Sequence, residues 1–461
     1  MDSEFAASVG VPRLNTLINP EFNRAESIRC YREGWPNVRP VGVFVRRMLS
    51  LVAIEYLFAL LVLVVFTNRY VLGSLLRLSD KRTQTAYGDD PQIWPTVAIV
   101  VPVYNEGSHV LQTAASFEAL DYPRDRLRAV FIDDVSTDDT YQHLLTVAKT
   151  YPWMQVIRNE KNVGKRIGIK NAVLKTHADL ILSVDSDVIV DKDALRELVR
   201  HLCTAGVDAA GGCVFVSNAD TNWLTRMQAV KYWIGYQFLK NVENYFSHIM
   251  CLSGCLTLYR RAALLAVDHD VESRTFLGDE VKYGEDRFLT RKLVERGYKT
   301  RLCFKARCFT KAPPTFAGYI SQQLRWRRSN IVDFITALPY LGRFHPLVVV
   351  HYVSMALLLL FYPLTLASQV VRLGFIIPMI EHALLVTTFA LAYELNKHKL
   401  PEMARTSGLW FMSMAFVFPV MYLTLTPLAI ATLGTSSWET RGGAKKKTMP
   451  AKVSSATAGA G

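Results

Sequence analysis

Hydrophobic and polar positions recur on two scales along this chain. Between residues 92 and 312 the apolar runs are short and end in polar loops: Val97-Ala-Ile-Val-Val-Pro102, Arg128-Ala-Val-Phe-Ile-Asp133 and Leu180-Ile-Leu-Ser-Val-Asp185. Such runs predict strands covered on both faces, as in a parallel sheet. Helical stretches separate them, for example Asp139–Thr150 and Lys192–Cys203. This alternation predicts an α/β fold with a doubly wound sheet, whose ligands sit beyond the carboxyl ends of its strands. Outside this domain the apolar runs are long. Residues 48–68, 346–371 and 374–394 are close to or above the roughly 20 residues that a bilayer crossing needs. They are read as transmembrane helices, with the α/β domain inserted between the first and second. Glu55 and Glu381 interrupt them, and a carboxyl at such a place should be neutral or face protein. Residues 315–338 alternate aromatic, basic and apolar side chains, the pattern of an interfacial amphipathic helix. Residues 408–433 are apolar but carry Pro419 and Pro427, which predicts a Pro-broken interfacial or re-entrant segment. A turn-rich N-terminal tail, 1–47, and a Gly/Ala/Ser/Lys-rich tail, 444–461, flank these elements; the latter is expected to be disordered.

Composition and charge narrow the partners. Hydrophobic residues make up 50% of the 461 positions and charged ones 20%, which leans towards a membrane. The net charge of +13 suits nucleic acid, an anionic lipid surface or an acidic substrate. No zinc-finger spacing, Arg-rich arm or RNA-binding aromatic motif is present, so nucleic acid is excluded as a partner. Basic residues instead adjoin apolar segments, at Arg46-Arg47, Arg69, Arg325, Arg327, Arg328 and Lys445-Lys446-Lys447, as on the cytosolic face of a membrane. If all three apolar segments after the α/β domain crossed, that last cluster would lie outside. The reading is therefore three spans, a cytosolic domain and a cytosolic tail; the membrane is expected to be the plasma membrane. Seven cysteines, an odd number without paired CxxC units, point to a reducing compartment. A polar N-terminus argues against a cleavable signal peptide.

The candidate chemistry lies at strand ends. Asp185-Ser186-Asp187 places two carboxylates in one loop, where hard oxygens can hold Mg2+ or Mn2+ against a diphosphate. Tyr104-Asn105-Glu106 and Asp133-Asp134 follow the other two strands. Asp133 could accept hydrogen bonds from a base or ribose, while the neighbouring Thr137 or Asp138 could cap a helix. Gly164-Lys165-Arg166 offers a turn with two cations, suited to a diphosphate or simply to solvent. Asp286 in Tyr283-Gly284-Glu285-Asp286-Arg287 is the candidate general base, and it also suits a helix N-terminus. Gln322, Arg325 and Trp326 fall at i, i+3 and i+4, so one helix face can carry all three. Arg can hold a diphosphate and Trp can stack under a sugar ring.

Together, Pro102-Val-Tyr-Asn-Glu106, Asp133-Asp134, Gly164-Lys-Arg166, Asp185-Ser-Asp187, Gly284-Glu-Asp-Arg287 and Gln322-Gln-Leu-Arg-Trp326 resemble the membrane-embedded processive family 2 glycosyltransferases. Hyaluronan synthases and chitin-oligosaccharide synthases are the nearest in kind. The resemblance implies UDP-sugar polymerisation into a β-linked extracellular or cell-wall polysaccharide, extruded across the membrane from a growing glycan acceptor. It implies Tyr104, Glu106, Asp133, Lys165, Asp185 and Arg325 as donor contacts, and Asp185 and Asp187 as metal ligands. Asp286 would be the base, and Trp326, Gln322 and Cys251 would meet the acceptor. Trp438-Glu-Thr-Arg441, within 436–443, resembles a gating loop that closes over nucleotide, giving Trp438 and Arg441 donor contacts. Cys255 stands where hyaluronan synthases usually carry Pro, and the motifs leave a hyaluronan-like or a chitin-like product open. A non-processive transfer of one sugar to a lipid, a degenerate receptor or scaffold, and a homo-oligomer remain as alternatives.

Overall fold

The computed structural model describes residues 53, 56–80, 90–272, 274–281 and 283–434. The expectations for 1–47, Glu55, 436–443 and 444–461 lie outside these. The first of two compact units, Met1–Leu60, is described only at residues 53 and 56–60, all helical. The second unit, Leu61–Gly461, carries the sheet and the other helices.

Helix α1, Tyr56–Ser79, runs past the expected end at residue 68 and includes a π-helical stretch, Thr67–Leu72. After it come β1 (Val97–Val103), α2 (His109–Glu118), β2 (Leu127–Asp133), α3 (Thr140–Thr150), β3 (Met154–Arg158), α4 (Gly164–Lys175) and β4 (Leu180–Ser183). Next are β5 (Ile189–Val190), α5 (Ala194–Thr204), β6 (Ala209–Val216), α6 (Trp223–Gln237), α7 (Asn241–Tyr245) and β7 (Thr257–Arg260). Then follow α8 (Arg261–Ala266), α9 (Asp268–Glu272), a small hairpin of β8 (Thr275–Phe276) and β9 (Asp279–Glu280), α10 (Glu285–Glu295) and β10 (Thr300–Thr310). The last described helices are α11 (Phe316–Ala337), α12 (Pro346–Leu373), α13 (Ile376–Asn396) and α14 (Phe411–Ala431).

The main sheet has the order β3-β2-β1-β4-β7-β6-β10-β5. The half from β3 to β4 is parallel, as the apolar runs predict. Strand β7 then enters antiparallel to both β4 and β6, with Thr257 opposite Ser183 and Gly211. Residues alternate between two cores with the period of a strand. Ile99, Phe131 and Leu182 face Phe117, Leu144 and Leu198 of α2, α3 and α5. Ala98, Val100 and Ile181 face Val173, Met227 and Leu293 of α4, α6 and α10. This second core continues into Tyr393 of α13 and Phe411, Met414 and Leu425 of α14, so apolar helices pack directly on the domain.

Among the described residues, four helices are long and apolar enough to cross a membrane: Tyr56–Ser79, Pro346–Leu373, Ile376–Lys399 and Glu402–Ala431. The expected Pro break in 408–433 is not there. Helix α14 runs unbroken through Pro419 and Pro427. A proline costs a helix one hydrogen bond and crowds the preceding turn, but neighbouring helices hold this one in place. Phe411 packs on Trp233 and Phe389, and Thr426 accepts from Arg327 Nη1 at 2.6 Å. Both ends of this segment also meet the domain. Arg226 of α6 lies 5.3 Å above the Trp410 ring, and Tyr283 Oη donates to the Leu433 carbonyl at 3.0 Å. By contrast the corner between α12 and α13 presents Val371 and Ile376, 84% and 72% exposed, to its surroundings.

Candidate active site

The parallel half of the sheet ends in three loops that tie one another down. After β1, Asn105 takes a positive φ of 53°. Its amide donates to Ser136 Oγ at 3.0 Å, and its Oδ1 accepts from Thr137 N at 2.8 Å. The Glu106 and Gly107 amides both donate to Thr140 Oγ1 at 2.8 Å. The 104–107 loop is therefore clamped to the 133–140 loop that leaves β2. Tyr104 and Glu106 are half-buried on this edge.

Asp133 is fully buried, with Arg158 Nε 3.1 Å from Oδ2 and the Ser136 amide donating to Oδ1 at 3.2 Å. Asp134 does a different job from its neighbour. Its Oδ1 accepts from Asn159 Nδ2 and Val163 N at 2.9 Å, and its Oδ2 from Gly164 N at 2.8 Å. A carboxylate at a helix N-terminus satisfies amides that lack partners in the first turn. Asp134 thus holds the start of α4, where Gly164 has φ 79°. That anchoring aims Lys165 across the sheet.

Lys165 Nζ pairs with Asp185 Oδ1 and lies 3.4 Å from Glu285 Oε1. Burial opposes its charge, yet Asp185, Glu285 and Asp286 outweigh burial and hold Lys165 well above its ordinary value. Asp185 Oδ2 faces Cys255 Sγ at 3.6 Å. Burial, then Asp185 and Asp187, push the Cys255 thiol far up, which keeps it neutral and unreactive. Asp187 Oδ2 accepts from Thr310 Oγ1, at the end of β10, at 3.4 Å.

The antiparallel course of β7 brings residues 251–256 to the carboxyl end of β4. The Gly254 amide donates to Asp286 Oδ2 at 3.2 Å. A Cβ at Gly254 would stand 2.7 Å from Lys165 Nζ and 3.3 Å from Asp185 Oδ1, so a larger residue here would have to displace the Lys165 ammonium. Asp286 Oδ1 accepts from the Arg287 amide at 2.9 Å, in the first turn of α10. Thr290 Oγ1 donates to the Asp286 carbonyl and accepts from Leu252 N, at 2.7 and 3.2 Å, which ties loop 251–256 to α10. Lys165, Asp185, Gly254, Glu285 and Asp286 therefore form one constellation. A solvent-open cleft of about 580 Å3 adjoins it, lined by Lys165, Gly254, Tyr259, Asp286, Phe288 and Leu289 among others. Cys251 is partly buried, and its carbonyl accepts from Lys240 Nζ at 2.7 Å.

Helix α11 passes beside this constellation. Ser329 Oγ abuts Gly284, where a Cβ would come within 1.9 Å. Arg325 is half-buried and Trp326 exposed, whereas Gln322 turns inward and is buried. The side of α11 that carries these three residues thus runs from buried at Gln322 to exposed at Trp326. Trp326 stands near Tyr232 of α6, ring centroids 6.2 Å apart. Trp438 and Arg441 lie outside the described residues.

Some residues of the neighbourhood escape sequence reasoning. Lys231, partly buried on α6, donates to Gln323 Oε1 at 2.6 Å, and its Nζ lies 5.4–5.6 Å from the centroids of Tyr319, Phe418 and Trp326. Burial, and then Arg327, lower its pKa to about 7. Between that value and the ordinary 10.5, the unfolded chain holds a proton that the folded chain has lost. Stability from this group therefore rises with pH above 7. Lys231→Met removes the dependence, so the melting temperature of the variant minus that of the wild type should fall between pH 7 and about pH 9. A constant difference would mean that Lys231 keeps its charge.

Residues 95–329 match the family described as glycosyltransferase like family 2. An N-acetylglucosaminyltransferase of Azorhizobium caulinodans is 35% identical over 53% of this chain and 62% of its own. One from Neorhizobium galegae is 31% identical over 77% of this chain and 82% of its own. The chain spans less than two thirds of the length of the first of these. A mannosyltransferase from Pyrobaculum calidifontis, solved with GDP-Man and Mn2+, shares the fold at TM-score 0.55 and 20% identity, covering 82% of this chain and 98% of that one. With a family match across half of its length and the carboxylates gathered at the sheet edge, the chain belongs to the glycosyltransferase like family 2.

Proposed function

We propose that the protein is a membrane-embedded, processive, inverting glycosyltransferase. It takes UDP-N-acetylglucosamine on the cytosolic side and extends a β-linked glycan that is delivered across the plasma membrane. The observation that carries this reading is the single constellation joining Lys165, Asp185, Gly254 and Asp286 beside α11. The sugar is taken from the relatives' names as N-acetylglucosaminyltransferases.

Asp185 and Asp187 fit Mg2+ or Mn2+: two hard carboxylates leave open positions for diphosphate oxygens and water. Such an ion would neutralise charge on the departing diphosphate. The chain's own residues do the rest. Lys165 adds a cation beside the diphosphate, and Arg325 a second from α11. Tyr104 and Glu106 border the nucleoside, with Asp133 buried behind them. The acceptor hydroxyl oxygen attacks the anomeric carbon, the bond to the diphosphate oxygen breaks with its electron pair leaving on UDP, and the hydroxyl proton passes to Asp286. Gly254 N and Arg287 N fix that carboxylate. Trp326, next to Tyr232, gives the acceptor sugar a stacking face. Gln322 and Cys251 would support this side from behind, and Trp438 and Arg441 would close over the nucleotide.

Both ends of the α14 segment meet the domain. That supports an interfacial α14 and three spans, α1, α12 and α13, with the C-terminal tail on the cytosolic side as its lysines favour.

The test is UDP release from the full chain in detergent with Mn2+ and single or paired UDP-sugars, with product sizing. UDP-N-acetylglucosamine alone should release UDP and yield a ladder of oligomers. A requirement for a second donor would replace the chitin-like product with a hyaluronan-like one, and a single-sugar lipid product would sink processivity. Asp187→Ala should raise the Mn2+ concentration for half-maximal UDP binding by about tenfold or more. An unchanged Mn2+ titration would remove Asp187 from the ligand set.

A further inference from the structure

Asp333 lies on α11, 1% exposed, with no place in the motifs or in the proposed chemistry. Its carboxylate is the centre of a buried charge cluster. Oδ1 accepts from Arg291 Nε of α10 at 3.0 Å, and Oδ2 from Arg274 Nη2 at 3.2 Å. Ser329, one turn earlier, donates its hydroxyl to Oδ2 at 3.4 Å. Arg274 is 4% exposed and turns its other nitrogen, Nη1, to the carbonyls of Tyr283 and Gly284, the latter at 3.1 Å. Those carbonyls belong to the turn just before Glu285 and Asp286. Arg291 is fixed in turn by Glu295 on the same helix. From the other side, Tyr352 Oη of α12 donates to the Asp333 backbone carbonyl at 2.8 Å.

Two guanidinium groups and two carboxylates meet here, and Lys292 adds a further cation to Glu295 at 3.0 Å. A buried ion cluster of this kind is seldom more stabilising than well-packed apolar side chains. What it supplies is direction, since the planar fork of an Arg fixes both of its partners at set angles. The turn it fixes has little other freedom: Gly284 has φ 69°, and its Cα faces Ser329.

We propose that Asp333 is a positioning residue for sugar transfer: through Arg274 it fixes the 283–284 carbonyls, and through Arg291 helix α10, which carries Asp286 in its first turn. It touches neither donor nor acceptor. The inference rests on the reading of Asp286 as the base. Because Tyr352 sits in the same cluster, the aim of Asp286 is set jointly by α10, α11 and the apolar helix α12.

The test compares Asp333→Asn and Arg274→Lys in the full chain, measuring UDP binding with Mn2+, kcat, KM for UDP-N-acetylglucosamine, and melting. Arg274→Lys keeps a cation for Asp333 but cannot also hold both carbonyls, so it remains informative if Asp333→Asn does not fold. The expected result for folded protein is a kcat lower by about tenfold to a hundredfold. UDP binding and KM should stay within about twofold of wild type, as for a loss confined to the transition state. UDP release without glycan extension should rise relative to extension. Unchanged kcat in folded Arg274→Lys overturns the proposal, as does a loss of kcat matched by an equal loss of UDP binding. Asp286→Asn, run alongside, separates the two readings: full turnover there overturns the base assignment, whereas its inactivity beside an unimpaired Arg274→Lys overturns the role of Asp333 alone.

Discussion

Asp286→Asn is expected to lower sugar transfer by about 10²–10⁴-fold, the usual contribution of a positioned general base. UDP should still bind with Mn2+, because Lys165, Asp185 and Asp187 are untouched. The substitution nearly preserves shape but changes hydrogen bonding in a definite way. Both carboxylate oxygens of Asp286 accept backbone amides, from Gly254 and Arg287. An Asn has one acceptor oxygen, so one of those amides meets an NH2 donor instead. That conflict should cost about 1–3 kcal/mol, visible as a lower melting temperature. Activity per folded molecule is therefore the quantity to compare. Transfer that persists near the wild-type rate in folded protein would remove Asp286 from its role.

Gly284→Ala should be the more damaging change to the molecule as a whole. Two independent constraints meet at this residue. Its φ of 69° lies in the left-handed region, which costs a residue with a Cβ about 1 kcal/mol. The added Cβ would also stand 1.9 Å from Ser329 Oγ and 2.6 Å from Ser329 Cβ, so helices α10 and α11 would have to separate. Overpacking of this kind typically adds 1–3 kcal/mol, which gives about 2–4 kcal/mol in all. Transfer should fall with stability, because the same residue precedes Asp286. The double variant Gly284→Ala/Ser329→Gly removes the clash and leaves the backbone strain. It should recover most of the lost melting temperature. If the double variant is no better than the single one, the contact with Ser329 is not the cause.

These two residues also show where the sequence is readable. Gly284 and Asp286 stand in a motif with a local signature, and so do Asp185 and Lys165. The strands β1, β2 and β4 are legible because both faces are covered and their apolar runs end abruptly in polar loops. The helix read over Asp139–Thr150 is observed over Thr140–Thr150, with an apolar side on Leu144 and Val147. The course of β7 is not legible in this way. A four-residue strand of Thr-Leu-Tyr-Arg carries no mark of its direction, and its antiparallel place depends on partners 46–80 residues earlier, from Gly211 opposite Thr257 to Leu180 opposite Arg260. Pro419 and Pro427 mislead for a related reason. The rule that prolines break helices describes an isolated helix, and packing against Trp233, Phe389 and Arg327 overrides it here. Asp333 and Arg274 are silent because Asp333 meets its partners Arg291 and Arg274 from 42 and 59 residues away along the chain. Nothing in their immediate neighbours predicts a buried charge.

The strand order has a consequence for how the chain assembles. Strands β1 to β4 pair among themselves, using residues 97–183 alone. That half can form while the rest is still being synthesised, since contacts close in sequence cost little loop entropy. Strand β6 has no partner next to β4 until β7 arrives, and the turn that carries Asp286 is not fixed until Asp333 and Tyr352 are in place. The half that bears Tyr104, Asp133 and Asp185 is therefore expected to form early, and the turn that bears Asp286 late. A truncation before α12 should leave the first folded and the second loose.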